Sequence, residues 1–225
     1  MQKKDHIMLA SLVLEQSGTR IPATCRKAYL YGNIAPDLHP ATYLHGMSYG
    51  QKFHGHNYEN ILPIMVKIIE KLKNTKGFHE REYLLLGKLS HYIVDSFTYP
   101  HNIPFKGSIP EHCEYEDQLH ARMPYFCMHP PKYGEFELHT IDLRVIEEMH
   151  MEYIKVAGDY QTDFLYALQA LSYAFGFVSM KCPAICRKNF ANRATTVITL
   201  EPQGKILGQI EFYGKKTGRI KQLQT

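Results

Sequence analysis

The 225-residue chain contains no tryptophan, only five cysteines, and no run approaching the roughly 18–20 apolar residues that a membrane-spanning helix requires. The missing tryptophan excludes any site built on an indole ring. The cysteines (Cys25, Cys113, Cys127, Cys182 and Cys186) are odd in number and scattered, which argues against a disulfide framework. Cys182 and Cys186 share a helical spacing, but Pro183 between them weakens any motif. Reduced, buried thiols are expected, and they suit a cytoplasmic protein. A secretory leader is not evident either. Lys3 and Lys4 precede a short apolar run, Ile7 to Leu14, which Glu15 ends, and no small-residue cleavage site follows. We read a first helix carrying His6. Internal repeats of roughly 20–50 residues are also missing, which argues against a solenoid.

What is present is ordinary in bulk. A hydrophobic content of 44% with 21% charged residues is that of a globular protein, and the length allows one well-buried domain. Charge is uneven. Residues 181–225 hold nine Lys or Arg against Glu201 and Glu211, a local charge of +7, which leaves −3 for residues 1–180 of the total +4. Such a tail could favour an anionic membrane surface or nucleic acid, although a merely solvated tail is the commoner outcome. Thirteen histidines raise the prior for metal chemistry.

Their spacing says more. His91 and Asp95 are four residues apart, His101 follows, and His112 and Glu116 are again four apart. A four-residue gap on a helix places imidazole and carboxylate on one face, one turn apart. Imidazole and carboxylate are also ligands that suit zinc. Taken alone, such a pair is more often a solvated helix pair contributing roughly 0.2–0.5 kcal/mol. Leu86, Leu89, Ile93 and Phe97 form the main apolar stripe of this helix, with His91 and Asp95 on roughly the opposite side. In a bundle of several helices that opposite side can face a second partner and line a cavity.

Helical periodicity recurs along the chain. Ile61, Met65, Ile68 or Ile69, and Leu72 mark a helix after Asn57, and residues 80–98 form the helix of His91 and Asp95, which Pro100 ends. Asp142 to Ala157 is amphipathic, Gly158 breaks it, and Asp163 to Met180 is the most apolar helix. Residues 121–137, with Pro124, Tyr125, Phe126, Pro130 and Pro131, read as a long aromatic loop, either a substrate lid or ordinary packing. Thr195–Leu200 and Ile206–Tyr213 flank a Pro-Gln-Gly turn and suggest a hairpin. The expected division is a helical domain over 1–194 and a basic hairpin or tail over 195–225.

Upstream of the histidine pairs lie a Gly-x-x-x-Pro-Asp turn, Gly32 to Asp37, and then His54 and His56. In order, His6, this turn, a histidine, H-x3-D-x5-H and H-x3-E resemble the zinc-dependent phospholipase C family, whose all-α fold is shared with the S1/P1-type nucleases. The resemblance implies an all-α, multi-helix phospholipase C/P1 nuclease-like bundle with two or three zinc ions. It implies one zinc held by Asp37, His54 or His56, His91 and Asp95, and a second held by His101, His112 and Glu116. Asp95 would bridge towards a third, for which His6 is the remaining side-chain ligand. His56 is preferred over His54 because it directly precedes the helix starting near Tyr58. Secreted members complete the third site with an N-terminal Trp, which this chain lacks, leaving the amine of Met1 as a substitute. The resemblance further implies Asp37 as the base orienting the attacking water. The implied activity is phospholipase C-like hydrolysis of a phospholipid or other phosphodiester. An S1/P1-like nuclease, for which Tyr125 and Phe126 would supply stacking surfaces, and a non-catalytic zinc-binding helical protein are the alternatives. The remaining histidines (His39, His45, His79, His120, His129, His139 and His150) match no place in the pattern and are expected to be surface or hydrogen-bonded, His45 being the one to recheck.

Overall fold

The computed structural model describes residues 1–38, 57–130, 141–181 and three strands; for residues 178–181 and the strands it describes the backbone. The described chain is all-α up to residue 181. Helices α1 (Lys3–Gln16), α2 (Ala23–Leu38), α3 (Tyr58–Asn74) and α4 (Glu80–Ser96) are followed by a 3-10 turn (Tyr99–His101). Helices α5 (Ile109–Met128), α6 (Leu143–Ile154) and α7 (Tyr160–Lys181) complete the bundle. Strands β1 (Thr195–Leu200), β2 (Ile206–Tyr213) and β3 (Lys216–Lys221) pair antiparallel in the order β1-β2-β3. The expected hairpin therefore gains a third strand. No described helix is long and apolar enough to cross a membrane.

Local chemistry sets the helix ends. Ser108 precedes α5 and donates its backbone N–H to Glu111 Oε2 at 2.6 Å, and Pro110 occupies the first turn, where no donor is needed. The Asp142 carboxylate accepts the Arg144 N–H at the start of α6. Helix α3 buries Ile61, Met65, Ile68, Ile69 and Leu72, the stripe read from the sequence.

Helix α4 is the centre of the bundle and packs against α1, α2, α3 and α7. Every residue from Leu89 to Thr98 is buried. The side of α4 opposite the Leu86–Leu89–Ile93–Phe97 stripe is thus covered too, and it carries His91 and Asp95. Its contact with α2 runs through two glycines. A Cβ on Gly32 would run into the Leu84 carbonyl and lie 2.9 Å from Gly87 Cα, and a Cβ on Gly87 would strike the Tyr29 carbonyl. The backbones meet where neither helix has a side chain.

Two sequence expectations need correction. The Gly-x-x-x-Pro-Asp segment is not a turn but the last two turns of α2, with Pro36 inside the helix. Close packing of Gly32 on α4 outweighs the missing Pro36 N–H. Residues 121–128 are likewise not loop: α5 runs through Pro124 to Met128. Leu119 and Met123 are fully buried, and Phe126 stacks on Phe164 of α7 at 5.1 Å, so tertiary packing overrides the proline signal. The rest of the expected loop, residues 131–137, lies outside the described residues.

Candidate metal centre

Two groups of ligand-type side chains converge at the core end of the bundle. The first joins α1 to α4. Asp95 lies between two imidazoles, its Oδ2 3.2 Å from His91 Nε2 and its Oδ1 3.2 Å from His6 Nε2. His6 stacks on His91 with ring centroids 4.2 Å apart, and both rings are fully buried. Asp37, one turn beyond Asn33 on α2, places its Oδ1 3.6 Å from His91 Nε2. The Asn33 carbonyl accepts from His91 Nδ1 at 2.9 Å, which leaves the Nε2 lone pair directed at the carboxylates. The Gly32–Gly87 contact brings that carbonyl and Asp37 within reach of α4.

The second group joins the 3-10 turn to α5. Glu116 Oε1 lies 3.1 Å from His101 Nε2 and 3.0 Å from His112 Nε2. Helix α4 ends at Ser96, two residues before the expected end, and Pro100 lies in the 3-10 turn that follows and carries His101 to Glu116. The α-amine of Met1 enters between the groups, 3.1 Å from Asp95 Oδ1, 3.1 Å from His101 Nε2 and 2.6 Å from Glu116 Oε1.

The protonation states follow from burial and charge. Burial alone would lower the Met1 amine, but the Asp95 and Glu116 carboxylates outweigh it and raise the pKa to about 11. Burial opposes ionisation of Asp95 as well, yet the amine and His101, His91 and His6 hold it well below the usual carboxylate range. Glu116 is held down in the same way by the amine and by its hydrogen bonds to His101 and His112, again against burial. Burial pushes His101 down to about 4 and also lowers His6, so both rings are neutral near pH 7.

These residues fit divalent metal. The ligand atoms of His6, His91 and Asp95 lie within 4.8 Å of one another, and so do those of His101, His112 and Glu116. His6 Nδ1 is buried without a hydrogen-bond partner and Nε2 faces only Asp95 Oδ1, an arrangement costly for a polar ring unless a ligand completes it. Neutral His6 and His101 with ionised Asp95 and Glu116 are in the states a metal takes, whereas Asp95 outweighs burial and raises the His91 pKa, a proton that a metal would displace. Asp95 touches both groups, His101 Nε2 lying 3.8 Å from its Oδ1.

The groups open into a cavity of about 1070 Å³, lined among others by Met1, Asp37, Asp95, His101, His112 and Glu116. Tyr125 and Phe126 are outside its described lining.

Three supporting contacts were not foreseen from the sequence. Asp163 of α7, fully buried, accepts from the Tyr153 hydroxyl at 2.6 Å, the Tyr99 N–H at 2.9 Å and the Tyr115 hydroxyl at 3.0 Å. It thereby ties down the turn of His101 and the residue before Glu116. Asn102 accepts from His150 at 2.8 Å and donates to the Ser96 and Thr98 carbonyls, holding the other side of that turn. His120 of α5 bonds the buried Asp5 at 2.6 Å, beside His6. A charged residue in the most apolar helix was the available signal for Asp163. With the helix starting at Tyr160, Asp163 lies inside it rather than at its end.

His79, His120, His129 and His150 are hydrogen-bonded or near a helix end, as expected of histidines outside the pattern. His39, His45, His54, His56 and His139 lie outside the described residues, so the choice between His54 and His56 does too. Cys25, Cys113 and Cys127 are free thiols, but only Cys25 is buried as expected, Cys113 being exposed on α5 and Cys127 half-buried, and Cys182 and Cys186 lie outside the described residues.

A family model described as zinc-dependent phospholipase C matches residues 5–173, which include every ligand-type residue above except the Met1 amine. No curated protein and no solved structure matches the chain.

Proposed function

The chain belongs to the zinc-dependent phospholipase C family, and from that membership we propose that it hydrolyses a phospholipid phosphodiester at a multinuclear zinc site. The carrying observation is the convergence of two ligand-type groups, His6–His91–Asp95 and His101–His112–Glu116, of which Asp95, His101, His112 and Glu116 line one cavity together with Asp37. His91, Asp95 and Asp37 would hold one ion, with His54 or His56 as a further ligand, and His101, His112 and Glu116 a second. His6 would serve a third, with Asp95 shared, and the Met1 amine would join it on giving up its proton. When bound, zinc lowers the pKa of water and offsets charge developing on the phosphoryl oxygens.

The chain's own residues do the rest. Asp37 lines the cavity beside His91 and is the base that orients the attacking water and takes its proton. The water oxygen bonds to phosphorus as its proton passes to Asp37, the bond from phosphorus to the glycerol oxygen breaks, that oxygen takes a proton from solvent water while Asp37 returns its own to solvent, and diacylglycerol and a phosphorylated headgroup leave. Neutral His101 and His6 keep their lone pairs for the site, and the Asn33 carbonyl keeps His91 in the tautomer the site needs.

The test is zinc per chain on protein purified without chelator, wild type beside His112→Ala. Two or three zincs are expected in the wild type and about one fewer in the variant, because His112 is one of three side-chain ligands of its ion. Hydrolysis of phosphatidylcholine should fall with that zinc. Wild-type protein without stoichiometric metal sinks the proposal.

A further inference from the structure

The loop between the 3-10 turn and α5, residues 102–108, starts directly after His101 and enters the helix that carries His112. Its shape is set from within. Phe105 turns inward, edge-on to Tyr99 at 5.5 Å and to His112 at 6.1 Å, and its ring lies over Gly107, where a Cβ would strike it. The Phe105 N–H bonds the Asn102 carbonyl at 3.0 Å, and Pro104 and Pro110 each fix a backbone angle. With Phe105 tucked in, Ile103 and Ile109 project from the two ends of the loop, 63% and 60% exposed. Lys106 stands exposed between them.

Isolated exposed apolar residues need no explanation. Ile103 lies in this internally braced loop and Ile109 opens α5 directly after it, and both line the metal-site cavity together with Lys106. Lys3 and Lys4 line the same cavity from α1. Of the acids near the opening, Glu111 is engaged by the Ser108 N–H and hydroxyl and Asp117 accepts from Gln2, while Glu59 and Glu114 stand against the three lysines. Apolar side chains flanked by lysines match the boundary between acyl chains and phosphates of a lipid layer.

We infer that this loop docks the protein on a phospholipid surface. Ile103 and Ile109 enter the acyl boundary while Lys106, Lys3 and Lys4 meet lipid phosphates. The inference rests on the phospholipase reading, since a lipid headgroup must leave its layer to reach the cavity at which the loop stands. A nucleic acid would leave the two isoleucines uncovered.

The test is sedimentation of the zinc-loaded full chain with two vesicle types, phosphatidylcholine alone and phosphatidylcholine containing phosphatidylglycerol. Ile103→Ser with Ile109→Ser should lower partitioning on both by about tenfold or more. Lys106→Glu should lower it several-fold on the anionic vesicles and leave the neutral ones nearly unchanged. Circular dichroism checks the fold, and if the double variant misfolds, Lys106→Glu carries the test. Wild-type protein that binds neither vesicle overturns the inference. So does a folded double variant that partitions like the wild type, which would leave the isoleucines as a contact for another protein. A water-soluble short-chain phosphatidylcholine separates the two proposals. Vesicle binding that depends on the loop, without hydrolysis of that substrate by the wild type, keeps the docking and removes the phospholipase assignment.

Discussion

A carboxylate with no exposed surface must be held by donors or lose its charge, and Asp163 shows both pressures. Three hydrogen bonds favour its ionised form, but burial is larger and raises its pKa to about 7. Because the ordinary value is 3.8, the folded protein binds this proton more tightly than the unfolded chain between those two values. The contribution of Asp163 to stability is therefore full below about 4 and declines as pH rises to about 7. The decline is of the order of 4 kcal/mol at most. Melting temperatures of wild type and Asp163→Asn across this window should show a difference that shifts in favour of the Asn variant as pH rises; a constant difference refutes the assignment. His101, lowered to about 4, works in the opposite direction over part of the same window, which is why the comparison and not the wild-type curve alone is informative. At this scale the ligand-type residues were legible, since His91–Asp95 and His112–Glu116 announce themselves by spacing. The Asn33 carbonyl was not, because a backbone oxygen has no signature in residue type.

Among the elements, the pairing of α2 with α4 does most to build the site. It brings Asp37 and the Asn33 carbonyl to His91, and it depends on Gly32 and Gly87 facing each other with Cα-level contact. Gly87→Ala places a methyl group against the Tyr29 carbonyl and should force the helices apart. We expect a loss of about 1–3 kcal/mol or more in urea unfolding, the range for overpacking, together with weaker zinc retention. Unchanged stability and unchanged zinc content would show that the helices shift without consequence. The same contact explains why the Gly-x-x-x-Pro-Asp segment is helix: a turn signal read from proline yields to the packing gained when Gly32 seats on α4. Pro124 in α5 repeats the lesson, with Phe126 on Phe164 outweighing the local preference. The helices of Ile61 to Leu72 and of His91 to Asp95 were legible because a single periodicity ran through each.

At the scale of the molecule, the ligand-type residues come from α1, α2, α4, the 3-10 turn and α5, so bound ions would fasten segments that are remote in sequence. Folding and metal binding are then linked, and an ion present at 100 times its dissociation constant adds about 2.7 kcal/mol. Adding chelator to protein purified without it should lower the melting temperature, and zinc should restore it. A melting temperature indifferent to both would mean that the sites carry no metal in the native protein. The sequence by itself determined the order of the ligand-type residues and the helices that carry His91–Asp95, because spacing along a helix is set by covalent geometry and 3.6-residue periodicity. Only the tertiary structure decided that the Asn33 carbonyl accepts from His91, that the Met1 amine also reaches His101 and Glu116, and that Asp163 braces the turn. Those proximities cross helices, and they depend on which faces pack and how closely two backbones approach, which no spacing along one chain segment encodes.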